Sequence, residues 1–413
     1  MNLFPPIVLI GLLLGSIGCK RTYGQQACRI ENEVVLASTG RVPSAVAIRA
    51  VGQTHFWAAW SADNATFIQN LESSGNPIGE ATRIERTLRR FKPFFKEPKP
   101  KTFWSEDERA SFAAEHLDLL TLGDGKILVI MLERPRSGRG GGAYAWLASE
   151  NTLRDSTLLR LGPAFAYASG IAVTRFGNGV VVAWHEGRLS TSEIRLVRLK
   201  TDPLRIVAET QIKGDHARSG PALATVSDRV LLAWYETVLG GQLSPKSQVI
   251  VARLTDDLEI KNKRTVATCR FLEPAPDLAE IDGNIGIVFR DDLDKDETPE
   301  FYYSLLDING VTIQPKKRIS QADGLLGPSL VHTPPFLMSA TIRSFQRNLL
   351  VGVNRFDLGG VKQGGEFQVY ADKTDFVRVD LAANKKSLLM IYAEDQRKRG
   401  RVLASQVICL ANH

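Results

Sequence analysis

Acidic residues end seven apolar runs of this chain, at intervals of mostly about 50 to 70 residues. They are Asp63, Glu133, Glu186, Glu236, Asp291, Asp357 and Glu394. If each run is the second strand of a repeat, the carboxylates ring one face, where they could bind a cation or a sugar or act as acids and bases. Each could equally cap backbone N–H groups or pair with a nearby arginine; these arginines are Arg134, Arg188, Arg290, Arg355 and Arg397. A catalytic site needs only one or two carboxylates, so the repetition favours a structural role.

A second acidic segment follows Asp291, with Asp292, Asp294 and Asp296 at alternate positions. Oxygen-rich loops of this kind suit Ca²⁺. The calcium-loop pattern needs glycine where Glu297 stands and glutamate where Tyr303 stands. We therefore expect a solvated acidic loop, and neither a metal nor another cofactor.

A basic insertion, residues 83–111, separates the first two repeats and carries Phe91, Phe94 and Phe95 among its lysines and arginines. Basic residues mixed with aromatic ones can bind phosphate-bearing lipids or an acidic partner. The alternative is an insertion whose phenylalanines pack against the side of the fold.

The chain lacks the sequence motifs of several enzyme classes. There is no HExxH, no GxSxG in the part that follows the N-terminal apolar stretch, and no phosphate-binding loop. A zinc protease, a serine hydrolase with a catalytic triad and an NTPase are therefore disfavoured. The formal net charge of +7 permits an anionic partner without requiring one.

The repeats themselves predict the architecture. Each reads as an apolar strand that begins with a small residue or proline, a tight turn, a very apolar strand, an alternating strand and a more polar strand. Examples of the first strand are 220–226 (GPALATV), 275–281 (APDLAEI) and 327–333 (GPSLVHT). Inner strands buried on both faces and an exposed outer strand are typical of a propeller blade. We predict an all-β, seven-bladed β-propeller, with six or eight blades as alternatives.

The two chain ends should close the ring. The last repeat lacks a fourth strand, and the segment 30–38 precedes the first blade without another assignment. If this segment pairs antiparallel with the last strand, Cys28 meets Cys409 within bridging distance. We therefore predict a Cys28–Cys409 disulfide and a buried thiol at Cys269.

The N-terminus carries an apolar stretch, about residues 3–17, that is too short to span a bilayer and fits a secretion signal. The following Ser16-Ile17-Gly18-Cys19 resembles the lipobox of bacterial lipoproteins. That resemblance implies a signal peptide at 1–18, a lipidated tether at 19–28 that starts at Cys19, and a propeller at 29–410. It also implies a lipid-anchored protein of the bacterial cell envelope, with the outer membrane as the expected site and no nucleic-acid partner.

The repeat pattern resembles the BNR/sialidase-like β-propellers over most of residues 29–410. Their Asp-box is absent; the segment 61–67 comes nearest but lacks its glycine. The resemblance implies either a binding module or a glycan hydrolase. A sialidase-type site would use convergent arginines such as Arg290 and Arg355, and a Tyr–Glu pair such as Tyr235 and Glu236.

From these observations we predict a binding or scaffolding propeller without catalytic residues, which recognises an envelope protein or a charged glycan. The alternative is a sialidase-type glycoside hydrolase. The predicted binding face comprises Glu133, Arg134, Glu186, Arg188, Glu236, Arg290, Asp291, Arg355, Asp357, Glu394, Arg397 and Arg399.

Overall fold

The computed structural model describes most of the chain from Cys28 onward. The described ranges are 28–84, 114–123, 125–133, 141–153, 156–164, 170–186, 192–213, 218–238, 246–269, 274–291, 299–320, 324–345, 348–369, 375–396 and 399–409. Within these ranges every regular element is a β-strand, and the 28 strands form seven four-stranded antiparallel sheets. The predicted all-β, seven-bladed propeller is confirmed.

The strands of each blade run outward from the axis in chain order. Those of blades 1 to 3 are β2 (Ala45–Val51), β3 (His55–Ala62), β4 (Ala65–Glu72), β5 (Pro77–Ile84); β6 (Ala114–Leu122), β7 (Lys126–Glu133), β8 (Gly141–Ser149), β9 (Thr157–Ala164); and β10 (Ile171–Phe176), β11 (Gly179–Glu186), β12 (Glu193–Thr201), β13 (Leu204–Ile212).

Blades 4 to 6 repeat the same order. Their strands are β14 (Arg218–Val226), β15 (Arg229–Val238), β16 (Lys246–Leu254), β17 (Ile260–Cys269); β18 (Asp277–Ile281), β19 (Asn284–Asp291), β20 (Glu300–Leu306), β21 (Thr312–Arg318); and β22 (Gly324–Thr333), β23 (Phe336–Phe345), β24 (Asn348–Phe356), β25 (Phe367–Val369).

Blade 7 joins the two ends of the propeller. It consists of β26 (Asp375–Ala383), β27 (Leu388–Asp395) and β28 (Gly400–Cys409), with β1 (Cys28–Thr39) as its outermost strand. β1 pairs antiparallel with β28, so that Cys28 lies opposite Cys409 with 3.9 Å between their Cα atoms. The predicted closure and the predicted disulfide are both confirmed, and Cys269 remains a buried thiol.

Burial follows the position of each strand in its blade. All eight residues of β11, GVVVAWHE, are buried, whereas the outer strand β13 alternates between exposed and half-buried positions. A second strand has a neighbouring strand on both edges and a neighbouring blade on both faces, so each side chain meets protein. The apolar clusters accordingly lie between blades; one joins Leu231 and Tyr235 of blade 4 to Ile287 and Phe289 of blade 5.

The antiparallel order gives the propeller two distinct faces. First strands begin and second strands end at what we call the upper face. First strands end, third strands end and fourth strands begin at the lower face. No helix in the described part of the chain is long and apolar enough to cross a membrane.

Candidate binding site at the propeller axis

The seven innermost strands surround a pocket with a volume of about 450 Å³, here called the axial pocket. Its lining includes residues from all seven blades. Most come from the inner strands or the residues just before them, and the deepest are Arg49, Asp118, Leu278 and Asp380. The pocket is therefore the upper part of the central channel, and charged side chains form its floor.

The floor is built on one equivalent position in each inner strand, here called the axial belt. Its members are Ala47, Asp118, Ala172, Ala222, Asp277, Ser329 and Asp380. Wherever this residue is aspartate or serine, its side chain accepts a hydrogen bond from a backbone N–H of the next blade. These bonds run to Asp118 from Val173 (2.8 Å), to Asp277 from Leu330 (2.6 Å), to Ser329 from Leu381 (3.0 Å) and to Asp380 from Ile48 (2.9 Å).

Blade 1 has alanine at the belt position, and Arg49, two residues further along β2, spans its two neighbours. The guanidinium donates to Asp118 of blade 2 at 2.6 Å and to Asp380 of blade 7 at 3.0 Å. Ser329 donates to the other oxygen of Asp380 at 2.7 Å. The belt thus links blades 5, 6, 7, 1, 2 and 3 through one chain of polar contacts.

Burial raises the pKa of two belt aspartates, Asp118 and Asp277. It raises the pKa of Asp118, although Arg49 and the N–H of Val173 oppose the change. Burial also raises the pKa of Asp277 to about 7, with the charge on Asp380 adding to the rise. Two backbone N–H groups, those of Leu330 and Leu278, favour the ionised form but do not outweigh burial. Asp277 therefore titrates near neutral pH on the floor of the pocket.

The wall above the floor carries Arg290, Arg378 and His116. His116 and Arg378 lie near the starts of the inner strands β6 and β26, but Arg290 belongs to the second strand β19. It reaches the axis because the inner strand β18 is only five residues long and pairs no higher than Asp277 with Val288.

Prolines explain why β18 is short. Pro274 and Pro276 lie immediately above it and also line the pocket. A proline has no N–H to donate to the strand ladder, so pairing ends there. The last residues of β19 are consequently left without an inner neighbour, and one of them is Arg290.

The carboxylates that end the second strands form a separate group, here called the rim carboxylates. Each of four is paired with a basic residue of its own blade: Glu186 with Arg195, Glu236 with Lys263 (2.9 Å), Asp291 with Lys316, and Glu394 with Arg401 (2.6 Å). Asp63 accepts from the N–H of Gly40 at 2.9 Å instead. These contacts agree with the alternative that the carboxylates cap N–H groups or pair with bases. The bases come from the same sheet, however, and are not the loop arginines that the sequence suggested.

The surroundings of the rim carboxylates differ in their effect on ionisation. Burial raises the pKa of Glu186 despite its contact with Arg195. Burial also acts to raise the pKa of Glu236, but hydrogen bonds from Lys263 and Trp234 outweigh it and lower the pKa. Glu133 ends β7 half-buried.

Two members of the predicted face lie elsewhere. The run that ends in Asp357 is the third strand of blade 6, β24, so Arg355 and Asp357 lie at the lower face. There the Asp357 carboxylate accepts from the N–H of Val361 at 2.8 Å. The true second strand, β23, buries Ser339, Thr341 and Arg343, and so lacks the apolar run by which the others were recognised.

The side chains suggested for a sialidase-type site do not all line one pocket. Tyr235 is completely buried between blades 4 and 5, and its hydroxyl accepts from the backbone N–H of Arg290 at 3.0 Å. Burial raises the pKa of this tyrosine. Of Tyr235, Glu236, Arg290 and Arg355, only Arg290 lines the axial pocket.

Other predicted residues lie outside the described ranges. They are Cys19, Arg134, Arg188, Asp292, Asp294, Asp296, Arg397 and nearly all of the insertion 83–111. Arg399 is exposed at the upper face, where its carbonyl accepts from the N–H of Gln396. In the described ranges, no group of three or more His, Cys, Asp or Glu side chains is placed to hold a metal ion.

The axial belt was not predicted, although the sequence carries a signal for it. Asp-Leu recurs in the first strands of three repeats, at 118–119, 277–278 and 380–381, and Ser329-Leu330 takes the same place in a fourth. An acid inside an apolar strand is costly unless its oxygens are satisfied. Its recurrence at one position therefore indicates a shared partner.

No protein-family model matches the chain, and the curated proteins give no match. Solved structures do. Polysaccharide lyase Uly1 superimposes with a TM-score of 0.52 at 9% identity, over 95% of this chain and 94% of the lyase. This protein shares its fold with that lyase. The similarity at such low identity shows the fold alone.

Two further similar structures have lower scores. An α-L-arabinanase of Penicillium chrysogenum with arabinobiose gives a TM-score of 0.45 at 12% identity, over 70% of this chain and 92% of that one. A Trypanosoma rangeli sialidase with sialic acid gives 0.42 at 10%, over 70% of this chain and 53% of that one.

Proposed function

We propose that this protein is a binding propeller of the bacterial cell envelope that takes a carboxylate-bearing glycan into the axial pocket without cleaving it. The observation that carries the proposal is the composition of the pocket. Arg290 and Arg378 line its wall, above a floor of carboxylates that are already held by backbone N–H groups and Arg49.

The chemistry of the wall and the floor suits the two kinds of group on an acidic sugar. Guanidinium groups bind carboxylates through paired hydrogen bonds. The carboxylate oxygens of the floor can accept hydrogen bonds from sugar hydroxyls, because each carboxyl oxygen has two lone pairs. A volume of about 450 Å³ lies in the usual range for small-ligand sites.

The rim carboxylates support this choice of site. Glu186, Glu236, Asp291 and Glu394 are each engaged by a base within the same blade. Their charge is therefore largely compensated where they stand. An acidic glycan that approaches the upper face meets the arginines of the axial pocket without an uncompensated acidic ring around them.

The cellular location is part of the proposal. Lipidation at Cys19 would attach the protein to a membrane, and two or more acyl chains make such an attachment stable. The Cys28–Cys409 disulfide supports a location outside the cytoplasm, since disulfides persist in oxidising compartments.

The binding test compares an oligouronate with the same oligosaccharide after its carboxyl groups have been reduced to alcohols. We expect calorimetric binding of the acidic form and at least about tenfold weaker binding of the neutral form, a difference of about 1.4 kcal/mol. Arg290→Gln and Arg378→Gln should each weaken binding of the acidic form by a similar factor. Arg205→Gln, on an exposed outer strand, serves as the matched control and should change nothing.

The alternative of a sialidase-type or other glycan-cleaving enzyme makes a different prediction. Incubation with the bound glycan, or with a fluorogenic sialoside, would release product, and Arg290→Gln would abolish that release. Product release of this kind contradicts the non-catalytic part of the proposal. Equal binding of the acidic and neutral oligosaccharides contradicts the assignment of the ligand.

A further inference from the structure

The N-terminal strand fixes where the chain joins the propeller. β28 is a third strand and runs from the upper to the lower face. β1 lies antiparallel to it, with Thr39 opposite Gly400 and Cys28 opposite Cys409. Cys28 therefore stands at the lower face, and the disulfide to Cys409 holds it there.

The segment before Cys28 is short compared with the propeller. Cys19 precedes Cys28 by nine positions, which span at most about 30 Å when fully extended. β1 has 12 residues, and a strand of that length spans about 36 Å. A lipid on Cys19 can thus place the lower face against a bilayer. The tether is too short to let the upper face contact the same bilayer.

The charges of the lower face nearly balance. Its exposed acids are Glu72, Asp202, Asp228, Asp256, Asp257, Glu259 and Asp282. Its exposed bases are Arg29, Arg175, Arg205, Lys261, Lys385 and Lys386, and Lys261 pairs with Glu259 at 2.8 Å. The face therefore carries no excess of positive charge that would draw it into an anionic headgroup layer. The length of the tether, and not charge, sets which face lies nearer the bilayer.

We propose that the anchored propeller turns its lower face to the bilayer and opens the axial pocket away from it. The ligand is then a glycan presented from the opposite side, in solution or on a facing polymer, and not a headgroup of the anchoring bilayer. This inference rests on the proposed anchor at Cys19.

The test measures the distance of two labelled sites from the membrane. Asp257→Cys places a thiol at the lower face and Lys213→Cys places one at the upper face; both positions are exposed. The native cysteines do not compete for the dye when Cys19 is lipidated, since Cys28 and Cys409 are bridged and Cys269 is buried. Full-length protein is returned to vesicles that carry an acceptor dye in the headgroup layer.

We expect energy transfer to be several-fold more efficient from position 257 than from position 213. Insertion of about 30 Gly/Ser residues after position 20 lengthens the tether by about 30 Å, the root-mean-square end-to-end distance of such a linker. It should remove the difference in transfer efficiency between the two positions. Equal transfer in the membrane-bound, unextended protein overturns the orientation while leaving the anchor standing. Recovery of the unextended protein in the soluble fraction overturns the anchor, and the orientation falls with it.

Discussion

The rim carboxylates and the three aspartates of the axial belt each recur at one position of several blades, but they hold different parts of the molecule together. A rim carboxylate such as Glu394 is paired with a base from its own blade, Arg401. A belt carboxylate such as Asp380 instead binds the backbone of the next blade, at Ile48, and the arginine that spans two blades, Arg49. The rim therefore stabilises single sheets, whereas the belt fixes the position of one blade relative to the next.

The comparison also separates structure from recognition. The belt lies where the axial pocket ends, so the contacts that close the ring also form the floor of the candidate site. A rigid floor matters to binding, because a site whose polar groups are already held in place loses less entropy when a ligand arrives. Changes in the belt should therefore affect both stability and affinity, and changes in the rim should affect stability alone.

The largest effect is expected from Asp380→Ala. The substitution removes the acceptor of the Ile48 N–H and one of the two carboxylates that compensate Arg49. Leaving the Ile48 N–H and the Ser329 hydroxyl without this acceptor costs about 1–3 kcal/mol each. The loss at Arg49 adds little, because its side chain is 38% exposed and keeps Asp118. Urea denaturation should show this loss.

Arg401→Ala, which removes the half-buried partner of a rim carboxylate, is the matched comparison for Asp380→Ala. It takes one donor from Glu394, whose side chain is 4% exposed, and should cost about 1–3 kcal/mol. Equal losses for the two variants would contradict the distinction between belt and rim.

The next effect concerns the close approach of blades 4 and 5 at the pocket wall. Gly220 has φ +61°, and a Cβ atom added there would lie 2.6 Å from the Cα of Ala275. Gly283 also has a positive φ, +80°, but open space around it. Gly283→Ala should cost about 1 kcal/mol for backbone strain alone, and Gly220→Ala should cost about 1–3 kcal/mol more for overpacking.

Thermal or urea unfolding of the two glycine variants measures that difference directly. A similar loss at both positions would show that the blades can move apart at the axis without penalty. The close approach of Gly220 to Ala275 would then not be a constraint on the ring.

How much of the fold and of the candidate site the sequence could predict depends on whether a feature follows the hydrophobic pattern. The rim carboxylates were found because each follows a long apolar run, and the same runs fixed the blade count. The second strand of blade 6 was not recognised because it contains Arg343, which forms a buried ion pair with Glu366 at 2.7 Å. Hydrophobic periodicity cannot reveal a buried polar residue whose partner lies elsewhere in the chain. The belt acids were missed for a related reason, since each is satisfied by another blade.

An effect of opposite sign at the belt residue Asp277 and the rim residue Glu236 is expected from pH. The folded-state pKa of Asp277 is raised to about 7, so its contribution to stability is fully present below its unfolded pKa of about 3.9 and is lost as pH rises towards 7. The pKa of Glu236 is lowered, so its contribution is present above its unfolded value and is lost as the pH falls through the folded value.

Urea denaturation between about pH 4 and 8 tests this pair. The free energy of unfolding of the wild type, relative to Asp277→Asn, should decrease as the pH rises across that interval and level off above 7. Relative to Glu236→Gln it should decrease only at the acid end. A constant difference between wild type and Asp277→Asn would contradict the raised pKa and place the ionised form in the fold throughout.

The smallest effect on stability is expected from the double variant Arg397→Glu with Arg399→Glu. This variant also tests whether the loops of the upper face steer the ligand or contact it directly. Arg399 is exposed, and surface changes of this kind usually stay within about 0.5 kcal/mol. If the loops guide an acidic glycan towards the arginines of the axial pocket, reversing two charges slows association and leaves dissociation nearly unchanged. Stopped-flow binding at low and high salt measures both rates. A slower association that high salt restores supports steering by the loops. A faster dissociation would instead make these arginines direct contacts, and would extend the binding site from the axis to the rim.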